Sequence, residues 1–274
     1  MLRQKLSFIP FAITLAFSIL LVGCSGSDSG VGTSGETGTL EVQMHDAPAN
    51  YEEVNIFVKS VEVNNADTDT GWVVINEPQQ TYDLLELTNG ATTVLGSKEL
   101  ETGTYEQIRL IVKVDQSYIV VDGKSHNLFV PGGNETGVKL PVNAEIKPDI
   151  TYTLLLDFDA ARSVVERGNE QSGISYLLQP VISASNQAET GNIAGTVEPV
   201  DANPFVYAIA ADDTLSSTKA DTSDGSFKLI GLEEGTYTVS VDPTNDTYQA
   251  SDTSGVDVTV DKTNELGTIQ LSQN

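Results

Sequence analysis

The sequence predicts a mainly β protein: two antiparallel β-sandwich-like domains behind a signal peptide and a flexible tether. Three observations predict it. Short apolar segments with a period near two recur from Thr39 to Leu271, the pattern of half-buried strands. Turn residues (Gly, Asp, Asn) separate them, with no long helical stretches between; strands so spaced favour antiparallel layers. Apolar residues make up 39% of 274, enough to fill cores and to exclude wholesale disorder, over a length that suits about two domains.

At the N-terminus, Arg3 and Lys5 precede an apolar run over residues 8–22, interrupted by Pro10, Thr14 and Ser18. Positive residues, apolar run and small residue in that order mark a secretory signal, and the run is short of the ~20 residues of a membrane span. Leu21-Val22-Gly23-Cys24 resembles the bacterial lipobox. The resemblance implies that residues 1–23 are a lipoprotein signal peptide, cut before Cys24, which is then acylated. Ser25 rather than Asp follows, which by the same resemblance implies the outer membrane, with the leaflet left open. Cys24 is the sole cysteine, so no internal disulfide forms. Residues 24–38 comprise the lipidated Cys and a Gly/Ser/Thr-rich linker with a reach of roughly 20 Å.

The first body spans residues 39–188. Strands are expected over 40–44, 54–58 with 61–63, 72–75, 108–114, 118–121 and 152–158, with Asp122-Gly123 as a two-residue hairpin turn. Short helices are expected over 82–87 and 160–167. The stretch 185–191 breaks the pattern. A second strand series then fills 191–274, at 193–197, 205–209, 227–230, 237–241, 256–260 and 268–271. No internal repeat links the halves.

Several motifs in the first body occur together: Asp46-Ala47-Pro48, Asp83-Leu84-Leu85, Gly103-Thr104-Tyr105 running into Gln107-Ile108-Arg109-Leu110, and Thr136 to Leu140. Leu156-Asp157-Phe158-Asp159-Ala160 with Ser163-Val164-Val165, and Tyr176 to Val181, follow. With these, residues 40–184 resemble domain-of-unknown-function family 4382 of exported bacterial lipoproteins. The resemblance implies a mostly β ectodomain and no assigned activity. In the second body Gly195-Thr196-Val197, Thr222 to Phe227, Gly231-Leu232, Gly235-Thr236-Tyr237 and Val239-Ser240-Val241 resemble the carboxypeptidase regulatory-like module. That implies a transthyretin-type sandwich serving as an accessory spacer or binding unit. Gly225 and Gly235 are expected to supply positive φ, with Phe227 and Tyr237 in the core.

Asp and Glu number 39 against 14 Lys and Arg, a net charge of −25. Removal of residues 1–23 takes away Arg3 and Lys5 and no acid, which makes it −27. Such a charge repels phosphate backbones, so no nucleic-acid partner is expected, and it gives no electrostatic hold on anionic lipid. The two histidines, His45 and His126, begin no H-x-x-E, which excludes His-based zinc peptidase chemistry. P-loop and Rossmann fingerprints are missing, and an acylated Cys24 is no nucleophile. Ser216-Ser217-Thr218-Lys219 fits S-x-x-K but falls in an expected loop without its partner motifs. No catalytic residue and no cofactor is therefore expected, and the chain is not expected to be an enzyme.

Carboxylates are the abundant reactive type. Asp157 and Asp159 share one face of a strand. Together with Asp46, also in a family-matching motif, they are the candidate Ca²⁺ ligands, ahead of the turn clusters Asp67, Asp69, Gly71 and Asp221, Asp224, Gly225. The competing reading is a solvated acidic surface. Arg109 is expected on the solvent face or paired with Asp157 or Asp159, since burial demands a partner. Trp72, the only tryptophan, is expected in the core, and His45 is expected as a satisfied strand-end residue.

These readings lead to a non-enzymatic cell-envelope lipoprotein that binds or scaffolds at the outer membrane. Its partners would be the membrane, through the lipid, and an envelope protein or surface ligand. A calcium-dependent adhesion or assembly component comes second and a carboxylate-based hydrolase third. Exchange of Cys24→Ser should abolish palmitate labelling and leave a soluble or unprocessed chain. A wild-type protein that takes up no labelled palmitate would refute the anchor.

Overall fold

The first strand, β1 (Thr37–Ala47), shows how alternation builds layers. Leu40, Val42 and Met44 are fully buried on one face, while Glu41, Gln43 and His45 occupy the other, because successive side chains of a strand point to opposite sides. The computed structural model describes residues 36–65, 71–169 and 173–274. The signal peptide, Cys24, nearly all of the tether, Asp67 and Asp69 lie outside the described residues.

The first lobe continues with β2 (Glu53–Asn65), β3 (Trp72–Asn76), β4 (Gln80–Asp83), β5 (Thr93–Glu101) and β6 (Gly103–Val112). Next come β7 (Tyr118–Val121), β8 (Lys124–Phe129), β9 (Val138–Ile146) and β10 (Thr151–Asp159). A one-turn helix α1 (Ala160–Ser163) leads into β11 (Val164–Asn169), β12 (Gly173–Leu178) and β13 (Ile182–Asn186). The second lobe holds β14 (Thr190–Glu198), β15 (Phe205–Ala210), β16 (Asp213–Lys219) and β17 (Ser226–Glu233). β18 (Gly235–Asp242), β19 (Ser251–Val258) and β20 (Thr263–Gln270) complete it.

Sheet order β13-β10-β1-β5 packs against β11-β12-β8-β7-β2-β6-β9, with β3 and β4 also paired to β2. Their shared core includes Met44, Leu156 and Phe158 from the first sheet and Ile56, Ile108 and Leu110 from the second. In the second lobe β17-β14-β20 and β16-β15-β18-β19 enclose Ile193, Val197, Phe227, Leu229 and Val239. Both lobes belong to one compact unit, Gly35–Asn274. Among the described residues no helix is long and apolar enough to cross a membrane.

The mainly β, sandwich-like class is as expected. Pairing is mostly antiparallel, but β1–β10, β8–β12 and β14–β20 are parallel. The Asp122-Gly123 hairpin forms, with φ of +50° and +67° and Val121 opposite Lys124, as a primed turn requires. The two expected helices shrink to single turns. Leu84–Leu87 is a 3₁₀ turn capped by Asp83, and α1 ends at Ser163 because Val164 and Val165 enter β11, where β-branched side chains fit best. Gly225 has φ +75°, and a Cβ there would lie 2.2 Å from the Val197 carbonyl oxygen. Gly235 does not adopt positive φ; Gly231 does, at +73°. Phe227 and Tyr237 are buried as expected.

An internal repeat is present after all. Leu100-Glu101-Thr102-Gly103-Thr104-Tyr105 and Leu232-Glu233-Glu234-Gly235-Thr236-Tyr237 differ at one of six positions. Each marks the corner where the chain leaves one sheet for the other, β5 to β6 and β17 to β18. In each, the leucine and tyrosine are buried, and the tyrosine hydroxyl donates to the glutamate carbonyl four residues back, at 3.2 Å for Tyr105 and 2.9 Å for Tyr237. The surrounding order also matches: β10-β1-β5 and β20-β14-β17 each place a parallel and an antiparallel partner about the lobe's first strand. The other sheets match through β2-β6-β9 and β15-β18-β19. The two lobes are thus built on one plan.

A buried hydroxyl bond contributes about 0.5–1.5 kcal/mol net. Tyr105→Phe and Tyr237→Phe should each destabilise by about that amount, and the double variant should lose their sum. Chemical denaturation of the three variants measures this; a null effect at both sites would mean that the corner bonds are incidental.

Candidate functional site

The parallel register between β1 and β10 sets His45 beside Asp157, Asp46 beside Phe158 and Ala47 beside Asp159. Residues paired this way share a face. Asp46 therefore points with Phe158 into the first-lobe core, while Asp157 and Asp159 point outward with His45 and Ala47. The strand pleat parts Asp46 from the other two acids. Among the described residues no group of three His, Cys, Asp or Glu is placed to hold a metal ion.

Both ends of this arrangement are tied to α1. Asp46 Oδ1 accepts from the Ala160 N–H at 3.1 Å, and Asp159 Oδ1 accepts from the Arg162 N–H at 2.8 Å, so two aspartates satisfy the open amides of one helical turn. Arg162 Nε also pairs with Asp159 Oδ2. Ser163 Oγ accepts from the Val181 N–H at 2.9 Å. Asp46, Asp159, Ala160, Ser163 and Val181 thus converge on one corner. Burial pushes the Asp46 carboxyl well above its ordinary range, against the opposing Ala160 bond, and Asp46 Oδ2 has no partner.

His45 is fully buried. Its Nδ1 lies 2.9 Å from the Ala91 carbonyl oxygen, so Nδ1 carries the proton and donates. Nε2 is left as a buried acceptor without a partner. Burial lowers the imidazole's basicity, with backbone contacts at Ala91 and Leu87 opposing. His45 is half satisfied rather than fully so.

The outward face of β10 meets the second lobe. A Cβ on Gly231 would sit 3.1 Å from Leu155 Cδ2, so the Leu155 side chain packs against the bare Gly231 backbone. Asn89 clamps the junction: its N–H donates to Thr218 Oγ1 at 2.9 Å, its Nδ2 to the Ser226 carbonyl at 3.3 Å, and its Oδ1 accepts from the Lys228 N–H at 2.7 Å. Beside this junction lie two adjoining recesses, about 150 and 280 Å³. Asp159, Arg162, Thr214 and Ser217 line both. Asp157, Ser183 and Leu215 line the smaller, and Asn50, Phe205 and Tyr207 the larger. Burial raises the Asp157 carboxyl from 3.8 to about 7, with Asp159 adding to the rise and Arg162 opposing it. Asp157 Oδ1 is buried and accepts no hydrogen bond.

Three sequence expectations change here. Arg109 pairs with neither Asp157 nor Asp159. Its Nε and Nη2 donate to Glu62 Oε2 at 2.9 and 2.6 Å, because β2 and β6 set Glu62 opposite Arg109. Trp72 is partly exposed rather than a core residue, and the Arg109 guanidinium lies 4.2 Å from its ring centroid, a cation–π stack. Ser216 to Lys219 lie in strand β16, not in a loop, and Ser216 Oγ donates to the Ile230 carbonyl at 3.2 Å, which directs its proton away from any base. Asp221 accepts from the Ser223 N–H at 2.7 Å and from its hydroxyl in an exposed Asx turn. Sequence reasoning missed Arg162, Thr214, Ser217 and Tyr207. The Asp159-x-x-Arg162 spacing was a legible signal for one of them; the others depended on recognising β16 and on knowing the lobe contact.

Fold and cleft define a two-lobed β-sandwich protein with a polar recess between its lobes. The chain belongs to the family described as a domain of unknown function, DUF4382, whose model matches residues 37–180. No curated protein matches it. Among solved structures it is similar to a type II cohesin–X-dockerin complex from Acetivibrio cellulolyticus, at 23% identity and TM-score 0.24. That match covers 30% of this chain and 58% of that one, so this chain spans little more than half of its length. It is also similar to GBS52, the minor pilin of Streptococcus agalactiae, at 12% identity, TM-score 0.23 and coverage of 85% and 96%. A third is the fimbrial anchor protein Mfa2 from Porphyromonas gingivalis, at 11% identity, TM-score 0.20 and coverage of 74% and 77%.

The raised Asp157 carboxyl has a testable sign. The fold retains a proton that the unfolded chain releases near 3.8, so stability falls as pH rises from there toward about 7 and then levels. Asp157→Asn should raise the melting temperature at pH 8 more than at pH 5, by about 2–4 °C per kcal/mol gained. Equal effects at both pH values would assign the perturbation elsewhere.

Proposed function

We propose that this chain is a non-enzymatic lipoprotein of the cell envelope, carried on the outer membrane by acylated Cys24, whose inter-lobe cleft binds an envelope component. Residues 39–188 serve as the family domain and residues 191–274 as a carboxypeptidase regulatory-like module, each folding as its own unit. The observation that carries the reading is the cleft's composition. In the smaller recess hydroxyls flank an acid, Asp157, that has an unsatisfied buried acceptor, and the aromatic side chains of Phe205 and Tyr207 line the adjoining one. Convergent polar groups in a recess are what a binding site requires. Asp159 is committed to Arg162 and Ser216 to a backbone carbonyl, so neither of these two groups joins a nucleophile–base pair.

The full-length Cys24→Ser chain should be retained by isolated envelope membranes in a saturable way. Leu215 lines the cleft and is 49% exposed, so Leu215→Arg should weaken retention roughly tenfold, about 1.4 kcal/mol, without changing the melt. Retention that is non-saturable and indifferent to Leu215→Arg would overturn the binding role.

A further inference from the structure

The charged groups lining the cleft are Asp157, Asp159 and Arg162. Arg162 is paired with Asp159, which leaves Asp157 as the one acid without a counter-charge. Its Oδ1 is buried and unpartnered, beside Ser183, its register neighbour on β13. A buried acceptor left unmade is costly, and proteins rarely tolerate one without a use. Beside the hydroxyls of Ser183, Thr214, Ser216 and Ser217, the smaller recess is lined by the aliphatic residues Ala47, Val181 and Leu215. The last two are 38% and 49% exposed, an apolar rim open to solvent.

We propose that this recess takes a lysine side chain of a partner protein, its methylene stem along Leu215 and Val181 and its ammonium on Asp157 and Ser183. The assignment rests on the cleft's being a binding site and names the chemistry of its ligand. Charge decides cation over anion: with Asp157 ionised the lining carries one net negative charge, within a chain of −25. Ligand number decides against a metal ion, since no group of three acids or histidines is placed for one among the described residues. With its Oδ1 buried, Asp157 offers the recess one carboxylate oxygen, and one oxygen flanked by hydroxyls suits the compact three-donor ammonium, whereas a guanidinium seeks two parallel oxygens. The apolar rim favours a side chain presented on a protein surface over a free amine, because the presenting surface would cover Leu215 and Val181. An arriving ammonium would also favour the ionised Asp157 that burial now disfavours.

The test uses the full-length Cys24→Ser chain and three probes: N-acetyl-lysine methylamide, N-acetyl-norleucine methylamide and cadaverine. Backbone-amide and carboxyl NMR shifts at Asp157, Ser183 and Leu215 report the site. The lysine probe should shift these signals saturably and lower the titration midpoint of the Asp157 carboxyl. Norleucine, which lacks the ammonium, should do neither. Asp157→Asn, with its fold checked by thermal melt, should weaken the lysine probe by about tenfold or more. Shifts reproduced by NaCl at equal ionic strength, or unchanged in Asp157→Asn, would overturn the proposal, and cadaverine binding as tightly as the lysine probe would reassign the site to a free amine. Envelope retention that still depends on Leu215 while the lysine probe fails would leave the binding role standing and remove only the ligand class.

Discussion

The parallel pairing of β1 with β10 is the constraint on which the rest of the first lobe depends. Because partners in register share a face, this single ladder sends Leu40, Val42, Met44, Leu154, Leu156 and Phe158 inward and leaves Gln43, His45, Asp157 and Asp159 outward. Shifting it by one residue would exchange the two sets. The ladder's end also places Asp46 and Asp159 at the two open amides of α1. That turn reverses the chain toward β11 and brings Val181 against Ser163.

A polar sheet face would ordinarily meet water. Here it meets the second lobe, and the consequences follow from desolvation. His45 Nε2 and Asp157 Oδ1 lose water without gaining a partner, while Leu155 gains a contact with Gly231 that needs the glycine's missing side chain. Asn89 closes three hydrogen bonds across the junction from one turn. Where the closure is incomplete the recess remains. The chemistry of this protein therefore collects at the junction, because that is where unsatisfied groups and open space coincide.

The shared plan of the lobes explains their different fates. Each turns from one sheet to the other through a Leu-Glu-x-Gly-Thr-Tyr corner whose tyrosine bonds back to the glutamate carbonyl. The second lobe keeps short sheets of three and four strands, and the first widens its second sheet to nine. One added strand, β3, brings Trp72 onto the Arg109–Glu62 pair of β6 and β2, which offsets a half-buried charge with both an acid and a ring.

The sequence by itself determined the β class, the Asp122-Gly123 hairpin and the acidic character, because these depend on local periodicity, turn chemistry and composition. It also named Asp157 and Asp159 as neighbours on one face, since a strand's period is two. It did not separate Asp46 from them: that needed the register of β1 against β10, two strands more than a hundred residues apart in sequence. Arg109's partner was likewise a matter of β2–β6 register. Strands β5 and β16 escaped reading because they hold Gly, Ser, Thr and charged residues and gain their strand form from paired neighbours rather than from their own apolar pattern. The six-residue corner repeat was legible but too short to stand out until both copies were seen to do the same work. Only the tertiary structure decided which lobe surface would cover the polar face, because that depends on shapes meeting at Asn89 and Gly231, and no local pattern encodes such a meeting.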